Sequence, residues 1–145
     1  MPQSVTYFPE QKLIYLQVWG TVSVTSLAAR MAEWMYDFSV PPGYCCLTDT
    51  RGLEAVDRPG EGVKELITMQ ARVYKDVPAP MRSAILAGSP VGFVLGRLFE
   101  QNAQDVLTEQ VQVFRSERDA LRFVGVTADS VDAYLASLPA GRTAT

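Results

Sequence analysis

Short apolar runs alternate with segments of helical periodicity along most of this chain. The runs at 13–16 and 84–87 are nearly continuous, which is typical of strands buried on both faces of a parallel sheet. The runs at 5–8 and 110–114 alternate with polar residues, which indicates peripheral strands with one face in solvent. A further apolar run occupies 44–48. The pattern predicts a mixed, mainly parallel sheet of about five strands, the first two joined by a hairpin.

Apolar residues at helical spacing lie between the strands. Ser23 is placed to cap the first helix, whose apolar stripe consists of Leu27, Met31, Trp34, Met35 and Phe38. The second helix is predicted to begin at Pro59, and the third at Ser89-Pro90, a cap followed by proline in the first turn. Two more helices are predicted, one from Ser116 and one from 127 or 129 to 138. The chain is therefore assigned to the α/β class with four to five helices.

The connections divide the chain into one domain and a tail. We predict that Gly20 ends the second strand and that 49–58 form a long loop before the second helix. Residues 1–139 are assigned to a single domain, and 140–145 to a flexible C-terminal tail. A chain of 145 residues buries enough surface to fold without a metal or a disulfide.

Composition excludes several classes of function. The net charge is −3, with 13 Lys and Arg against 16 Asp and Glu, and no basic cluster, so nucleic acid is not an expected partner. No apolar run is long enough to span a membrane, and the first residues carry no targeting pattern, so a cytoplasmic location without membrane insertion is expected. Cys45 and Cys46 are neighbours that cannot pair, and we interpret them as small apolar fillers.

Few residues are available for catalysis. The chain has no histidine, and we find no metal-ligand spacing and no Gly-rich phosphate loop. The carboxylates Asp49, Glu54 and Asp57 form a local cluster. The sequence therefore predicts no catalytic residue, no metal and no cofactor, with a carboxylate hydrolase that depends on Asp49 as a minor alternative.

Polar residues at the carboxyl ends of the strands form a candidate site for a ligand or a partner. They are Asp49, Thr50, Arg51, Asp57, Arg58 and Ser89. Helix N-termini at this edge suit an anion or an acidic loop of a partner. The alternative is structural: Asp49 and Thr50 shape a turn, Arg51 pairs with Asp49 or Glu54, and Ser89 is only a helix cap.

The third helix offers a candidate interaction face. Gly92 and Gly96 lie one turn apart, which allows close approach of either a partner or the chain's own sheet. Arg97 and Glu100 form either part of that face or an ion pair within the helix. Together with the apolar last helix, this face suggests a symmetric homodimer.

The order of elements, with four stretches of sequence, resembles the SpoIIAA-like family of small bacterial proteins. That family has the STAS-like fold of anti-sigma-factor antagonists. The stretches are 13–15 leading into 20–23, 48–51, 93–100 and 111–116. The resemblance implies a STAS-like fold and a non-enzymatic binding or regulatory module that interacts with an unidentified protein.

Two further expectations follow from this resemblance. STAS-like folds resemble lipid-binding CRAL-TRIO sheets, so the alternative function is a carrier of a small molecule or lipid. Its apolar pocket would be lined by Trp34, Tyr74, Phe93 and Phe99.

Antagonists regulated by kinases carry a hydroxyl near the start of the second helix, whereas residues 55–60 contain none. We predict that Asp57 caps this helix as a fixed carboxylate balanced by Arg58. Binding at this edge would then be constitutive and depend on Asp57 and Arg51, and Thr50 would not be phosphorylated because Asp49 would repel the phosphate.

Overall fold

The computed structural model describes residues 3–144, which form six strands and five helices. The strands are β1 (Gln3–Phe8), β2 (Leu13–Ser23), β3 (Cys45–Asp57), β4 (Arg82–Leu86), β5 (Gln110–Phe114) and β6 (Arg142–Ala144). The helices are α1 (Val24–Asp37), α2 (Pro59–Val73), α3 (Pro90–Ala103), α4 (Glu117–Phe123) and α5 (Val131–Ala136). The expected α/β class is confirmed.

All six strands belong to one mixed sheet in the order β5-β4-β3-β2-β1-β6. The strands β2, β3, β4 and β5 run parallel, whereas β1 is antiparallel to both β2 and β6. The two continuous apolar runs lie in the interior strands β2 and β4, as expected. The alternating segment 110–114 is the edge strand β5, which is also as expected.

The helices α1, α2 and α3 cover one face of the sheet. Each connects two neighbouring parallel strands, and each crossover steps in the same direction from β2 towards β5. Right-handed crossovers that step in one direction place their helices on the same face. The core between this layer and the sheet includes all five residues of the predicted α1 stripe.

The helices α4 and α5 cover part of the opposite face. Leu47, Ala84 and Leu86 of the central strands pack there against Leu121 and Val131, and all five side chains are fully buried. Because side chains alternate along a strand, each central strand supplies one set of apolar residues to each face. The two layers of helices therefore pack on independent cores.

Serine side chains cap four of the helices. Ser23, Ser89 and Ser116 accept hydrogen bonds from backbone N–H groups in the first turns of α1, α3 and α4, as predicted. Ser130 caps α5 in the same way, so the last helix begins at Val131 rather than at 127 or 129. Capping of this kind satisfies N–H groups that have no partner within the helix.

The C-terminal segment differs from the prediction. Residues Arg142–Ala144 pair with β1 as a sixth strand, whereas a flexible tail was expected over 140–145. Thr145 lies outside the described residues. This short strand covers the outer side of β1, so residues 5–8 do not form the edge of the sheet. Backbone hydrogen bonding with β1 explains a strand that has no hydrophobic pattern of its own.

The strands β2 and β3 are longer than predicted. Gly20 does not end β2, and residues 49–57 are strand rather than loop, because the two strands continue to pair up to Ser23 and Asp57. Within residues 3–144, pairing with β1 extends to Val18, and pairing with β4 extends to Asp49. We call residues 19–23 of β2, together with residues 52–57 of β3 that lie beside them, the β2–β3 extension. Two register shifts in this part of the pair hid the strand pattern from the sequence.

Packing between α1 and α2 depends on a glycine. A Cβ at Gly62 would overlap the side chain of Val24, whereas a Cβ at Gly60 in the same helix would meet nothing within 4 Å. We expect Gly62→Ala to lower the free energy of unfolding by about 1–3 kcal/mol through overpacking. Gly60→Ala should be neutral or stabilise by up to about 1 kcal/mol.

Urea denaturation of the two variants beside the wild type measures this difference. Equal stabilities of Gly62→Ala and Gly60→Ala would contradict the close packing of α1 against α2.

Candidate functional site

Asp49, the central residue of the candidate site, is buried within a network of hydrogen bonds. Its side chain is only 3% exposed. The Tyr15 hydroxyl donates to Oδ2 at a distance of 2.5 Å. The Arg51 guanidinium donates to Oδ1 at 3.0 Å and to Oδ2 at 2.7 Å. The backbone N–H of Arg51 also donates to Oδ1 at 3.0 Å. This carboxylate is therefore saturated by neighbours on β2 and β3.

Arg51 also joins the sheet to its second layer of helices. It lies 3.0 Å from Asp132 of α5 and 3.4 Å from Glu117 of α4, as ion pairs. Glu117 in turn accepts a hydrogen bond from the backbone N–H of Val131 at 2.8 Å. We call Tyr15, Asp49, Arg51, Glu117 and Asp132 the Asp49 network. Its arrangement corresponds to the structural alternative for Arg51 rather than to an open anion site.

The pKa values of the network agree with this interpretation. Burial acts to raise the pKa of Asp49, but hydrogen bonds from Arg51 and Tyr15 outweigh it and hold the pKa below its usual value. Burial and the bond to Asp49 raise the pKa of the Tyr15 hydroxyl. Asp49 is thus ionised and Tyr15 neutral at neutral pH, with no proton available for exchange near pH 7.

Thr50 and Ser89 form hydrogen bonds within the chain where the strands meet the start of α3. Thr50 is 3% exposed and its hydroxyl donates to the carbonyl of Leu86 at 2.8 Å. Ser89 accepts from the N–H of Gly92 and donates to the carbonyl of Leu53 at 3.3 Å. Both side chains are accordingly engaged within the chain.

The predicted cap of α2 is wrong. Asp57 is the last residue of β3, paired with Ser23, and the residue before α2 is Arg58 in a left-handed conformation without a side-chain cap. Arg58 forms an exposed ion pair with Glu61 at 3.3 Å instead of balancing Asp57. Because β3 continues to Asp57, this residue lies in the strand and not at the capping position of α2.

The candidate face on α3 lies against the chain's own sheet. Both glycines are buried: a Cβ at Gly96 would come within 2.6 Å of Val113, and one at Gly92 within 2.9 Å of Thr50. This packing leaves no free glycine face for a second copy. Arg97 and Glu100 pair within the helix, and Glu100 accepts a hydrogen bond from the N–H of Val113 at 2.9 Å. Glu100 therefore covers part of the open edge of β5.

Among residues 3–144, the outer face of the β2–β3 extension is exposed. Its inner face, with Val22, Leu53 and Val56, packs on the core beneath α1 and α2. Trp19 lies on the outer face opposite Gly52 and is 39% exposed. Gly52 offers no side chain to cover the indole, so an aromatic surface remains open at this end of the sheet.

A cavity of about 90 Å³ lies between the sheet and the helices α1 to α3. Trp34, Tyr74 and Phe99 line it, as expected for the apolar pocket. Phe93 does not line it, because its ring packs 3.7 Å from the guanidinium carbon of Arg115. The wall of this cavity therefore contains three of the four predicted aromatic residues.

The polar residues of the cavity that the sequence did not predict include Gln70, Ser83 and Glu109. Gln70 occupies a position on the apolar stripe of α2. Glu109 precedes β5 and has the same parity as Val111 and Val113, the residues of β5 that face the core. A polar residue at a position with apolar periodicity was the signal for both.

Glu109 has the most perturbed carboxyl group of the cavity. Burial raises its pKa to about 7, although hydrogen bonds from Ser83 and Tyr74 act in the opposite direction. Burial, with the charge of Glu109, also raises the pKa of the Cys46 thiol. Because a thiolate is the reactive form, this agrees with the interpretation of Cys46 as a small apolar filler.

Two features are absent from the described part of the chain. Within residues 3–144, no group of three or more Cys, Asp or Glu side chains is placed to hold a metal ion. No helix in that range is long and apolar enough to cross a membrane.

The Asp49 network should be important for stability. We expect Arg51→Ala to lower the free energy of unfolding by about 2–3 kcal/mol, because Asp49 would remain buried without its cation. The loss is smaller than for a fully buried pair because Arg51 is 29% exposed and water reaches it.

Arg58→Ala is the matched control, since both side chains of its ion pair are 72% exposed. Its effect should stay within about 0.5 kcal/mol by chemical denaturation. Similar losses for both arginine variants would refute the structural role of Arg51.

The raised pKa of Glu109 predicts a pH-dependent stability. The carboxyl has a pKa of 4.5 when unfolded and about 7 when folded. Its contribution is therefore fully present below pH 4.5 and is lost as the pH rises through 7. The total loss is about 3 kcal/mol, which Glu109→Gln should remove.

Denaturation of both proteins between pH 4 and pH 8 measures the difference. The contribution of Asp49 to the pH dependence of stability is the same in the two proteins, so it cancels in their difference. Parallel stability curves for wild type and Glu109→Gln would show that this carboxyl is not perturbed.

Comparison with known proteins places the fold. No protein-family model matches the chain, and no curated protein matches it. A crystal structure of an uncharacterized DUF3478-family protein with a SpoIIAA-like fold, from Shewanella loihica PV-4, superposes with a TM-score of 0.53. The two sequences are 15% identical, and the match covers 77% of this chain and 83% of that chain. The chain therefore has the SpoIIAA-like, STAS-like fold that its sequence resembles.

Proposed function

We propose that this chain is a non-enzymatic binding or regulatory module that acts through protein–protein interaction. The supporting observation is the outer face of the β2–β3 extension, where Trp19 is 39% exposed beside Gly52. Tryptophan is enriched among residues that dominate the binding energy of protein interfaces. The rest of the extension packs firmly on its inner side, so the indole is presented on a rigid support.

The surroundings of Trp19 indicate the chemistry of the partner. Glu54 and Asp57 are exposed on the same extension. An apolar centre with a charged rim is the usual arrangement of a protein interface. The partner would then offer an apolar pocket for the indole and basic residues around it. Among the predicted site residues, this surface includes Asp57 but not Arg51, which is engaged in the Asp49 network.

The cavity gives little support to a lipid carrier. Its volume of about 90 Å³ is several-fold below the ~300–1,000 Å³ of ordinary ligand pockets. A small anion is also disfavoured there because the Glu109 carboxylate would repel it. At the carboxyl edge, the guanidinium of Arg51 already binds three carboxylates of its own chain.

Hydrolase chemistry at Asp49 is similarly disfavoured. A general acid or base works best with a pKa near the operating pH, whereas hydrogen bonds hold the pKa of Asp49 below its usual value. If the hydrolase alternative were right, the chain would turn over an ester substrate and Asp49→Asn would abolish that turnover.

Binding in this proposal is constitutive. Thr50, the remaining candidate for phosphorylation, is 3% exposed with its hydroxyl bonded to Leu86. A kinase would have to unfold this segment to reach it. A homodimer, a cytoplasmic location and the absence of nucleic-acid binding stay predictions. A dimer would need a surface other than the glycine face of α3.

Photo-crosslinking in the cells that express the chain tests the proposal. Benzoylphenylalanine placed at position 19 should capture one discrete protein, whereas the same residue at position 81 should not. Met81 is the matched control because it is 57% exposed and precedes β4, at the other end of the parallel strands.

Competition by unlabelled protein then measures the contribution of the indole. Trp19→Ala should compete at least about thirtyfold less well than the wild type, which corresponds to a loss of about 2 kcal/mol. Equal capture at both positions, or equal competition by both proteins, would overturn the proposal.

A further inference from the structure

The outer side of β5 is an open edge of the sheet. β5 pairs with β4 on one side, and among residues 3–144 no strand pairs with its other side. The N–H of Gln110 donates to the C=O of Met81, in keeping with the parallel register of β4 and β5. Because backbone groups alternate in direction along a strand, the N–H and C=O groups of Val111 and Val113 point away from β4.

A groove of about 930 Å³ runs along this edge. Arg97 and Gln101 of α3 line one side of it, Phe123 of α4 lines the other, and Val111 and Gln112 belong to β5 itself. A strand of five residues occupies roughly 800 Å³, at ~3.4 Å per residue, ~4.8 Å between strands and ~10 Å through the sheet. The groove therefore has the size of one added strand.

The two edges of the sheet differ in their protection against pairing. Natural proteins protect sheet edges with short strands, charged residues or proline. β6 fits this pattern, with three residues that include Arg142. β5 has five residues, none of them charged and none of them proline. Glu100 accepts from the N–H of Val113 at 2.9 Å, but the outward groups of Val111 are left for another strand.

The charges around the groove favour a second copy of the chain as its occupant. The charged residues that line the groove are Arg97, Glu100 and Glu109. Arg97 and Glu100 form an ion pair within α3, and Glu109 is only 9% exposed. A strongly acidic or basic partner therefore finds no uncompensated charge to bind. An identical uncharged strand meets no like charge, which would otherwise destabilise a symmetric pair.

We propose that two copies of this chain pair their β5 strands antiparallel about a two-fold axis and form one continuous sheet. The open edge of each copy covers that of the other, and β6 is protected, so the assembly closes at two chains. This dimer uses a surface other than the glycine face of α3. It does not rest on the proposed interaction of Trp19, because β4 lies between β5 and the β2–β3 extension.

The positions of the free groups define the register of the pair. With Val111 opposite Val111 of the second copy, the N–H of each donates to the C=O of the other. Val113 then lies near the end of the paired segment, where its N–H keeps its bond to Glu100. Side chains of Gln110 and Gln112, both exposed, come to lie across from one another on the same face of the joined sheet.

Analytical ultracentrifugation of the full chain over a range of concentrations tests the proposal. The wild type should sediment with twice the mass of one chain. Val111→Pro should raise the dissociation constant at least about tenfold, since each copy loses the N–H that it donates to the other. The bonds between β4 and β5 do not use this N–H, so the substitution leaves them in place.

A second variant and its control keep the test independent of the proline. Gln112→Lys should raise the dissociation constant about threefold or more, because two lysines then lie diagonally across the axis. Gln17→Lys is the matched control, since Gln17 is also an exposed glutamine but lies on the interior strand β2. Its dissociation constant should equal that of the wild type.

Hydrogen exchange locates the contact. In the dimer, the Val111 amide should exchange at least about tenfold more slowly than in Gln112→Lys diluted to the monomer, the effect of one added hydrogen bond. Trp19→Ala should dimerise like the wild type.

Four outcomes would overturn the proposal. They are a wild type that is monomeric at every concentration, an unchanged dissociation constant in both β5 variants, a dimer in which the Val111 amide exchanges freely, and a dimer that Trp19→Ala dissociates. The last would place the contact between copies on the β2–β3 extension. If Val111→Pro does not fold, Gln112→Lys and the exchange of the Val111 amide still decide between these results.

Discussion

The burial of the Asp49 carboxylate is the constraint on which the arrangement of the second layer depends. A charge that is 3% exposed must be paired, and the chain supplies Arg51 two residues further along the same strand. Because that spacing puts both side chains on one face of β3, the guanidinium emerges beneath α4 and α5. There it pairs with Glu117 and Asp132. The cation that neutralises one buried charge thus also links two helices to the sheet, beside the apolar core on which they pack.

Alternation of side chains along β3 places its polar residues on two different faces of the sheet. Residues of β3 that face α4 and α5 take part in the Asp49 network, while Thr48 and Thr50 on the other face line the cavity. The β2–β3 extension passes beyond both layers on its outer side, which leaves Trp19 exposed. The polar side chains at the strand ends therefore stabilise the fold, and the exposed aromatic surface lies on the extension instead.

Much of the fold could be predicted from local patterns, and the misses have physical causes. Periodicity located β2, β4, β5 and the stripe of α1, because burial on one or both faces leaves a regular signal. The end of β3 was missed because its register shifts interrupt that signal around Gly52. The strand β6 was missed because it depends on backbone pairing alone. In the site, pairing of Arg51 with Asp49 was among the alternatives, but Glu117 and Asp132 lie far away in sequence. Glu109 and Gln70 were overlooked although each continues an apolar pattern with a polar residue.

A double-mutant cycle between Asp49→Asn and Arg51→Met most directly tests the claim that the polar residues at the carboxyl edge are structural. Free energies of unfolding of the wild type, the two single variants and the double variant give the coupling between the two side chains. We expect a coupling above about 1 kcal/mol, since either single variant leaves the other group without its partner. Additivity of the two changes to within about 0.5 kcal/mol would show that Arg51 is not committed to Asp49, and would contradict this account.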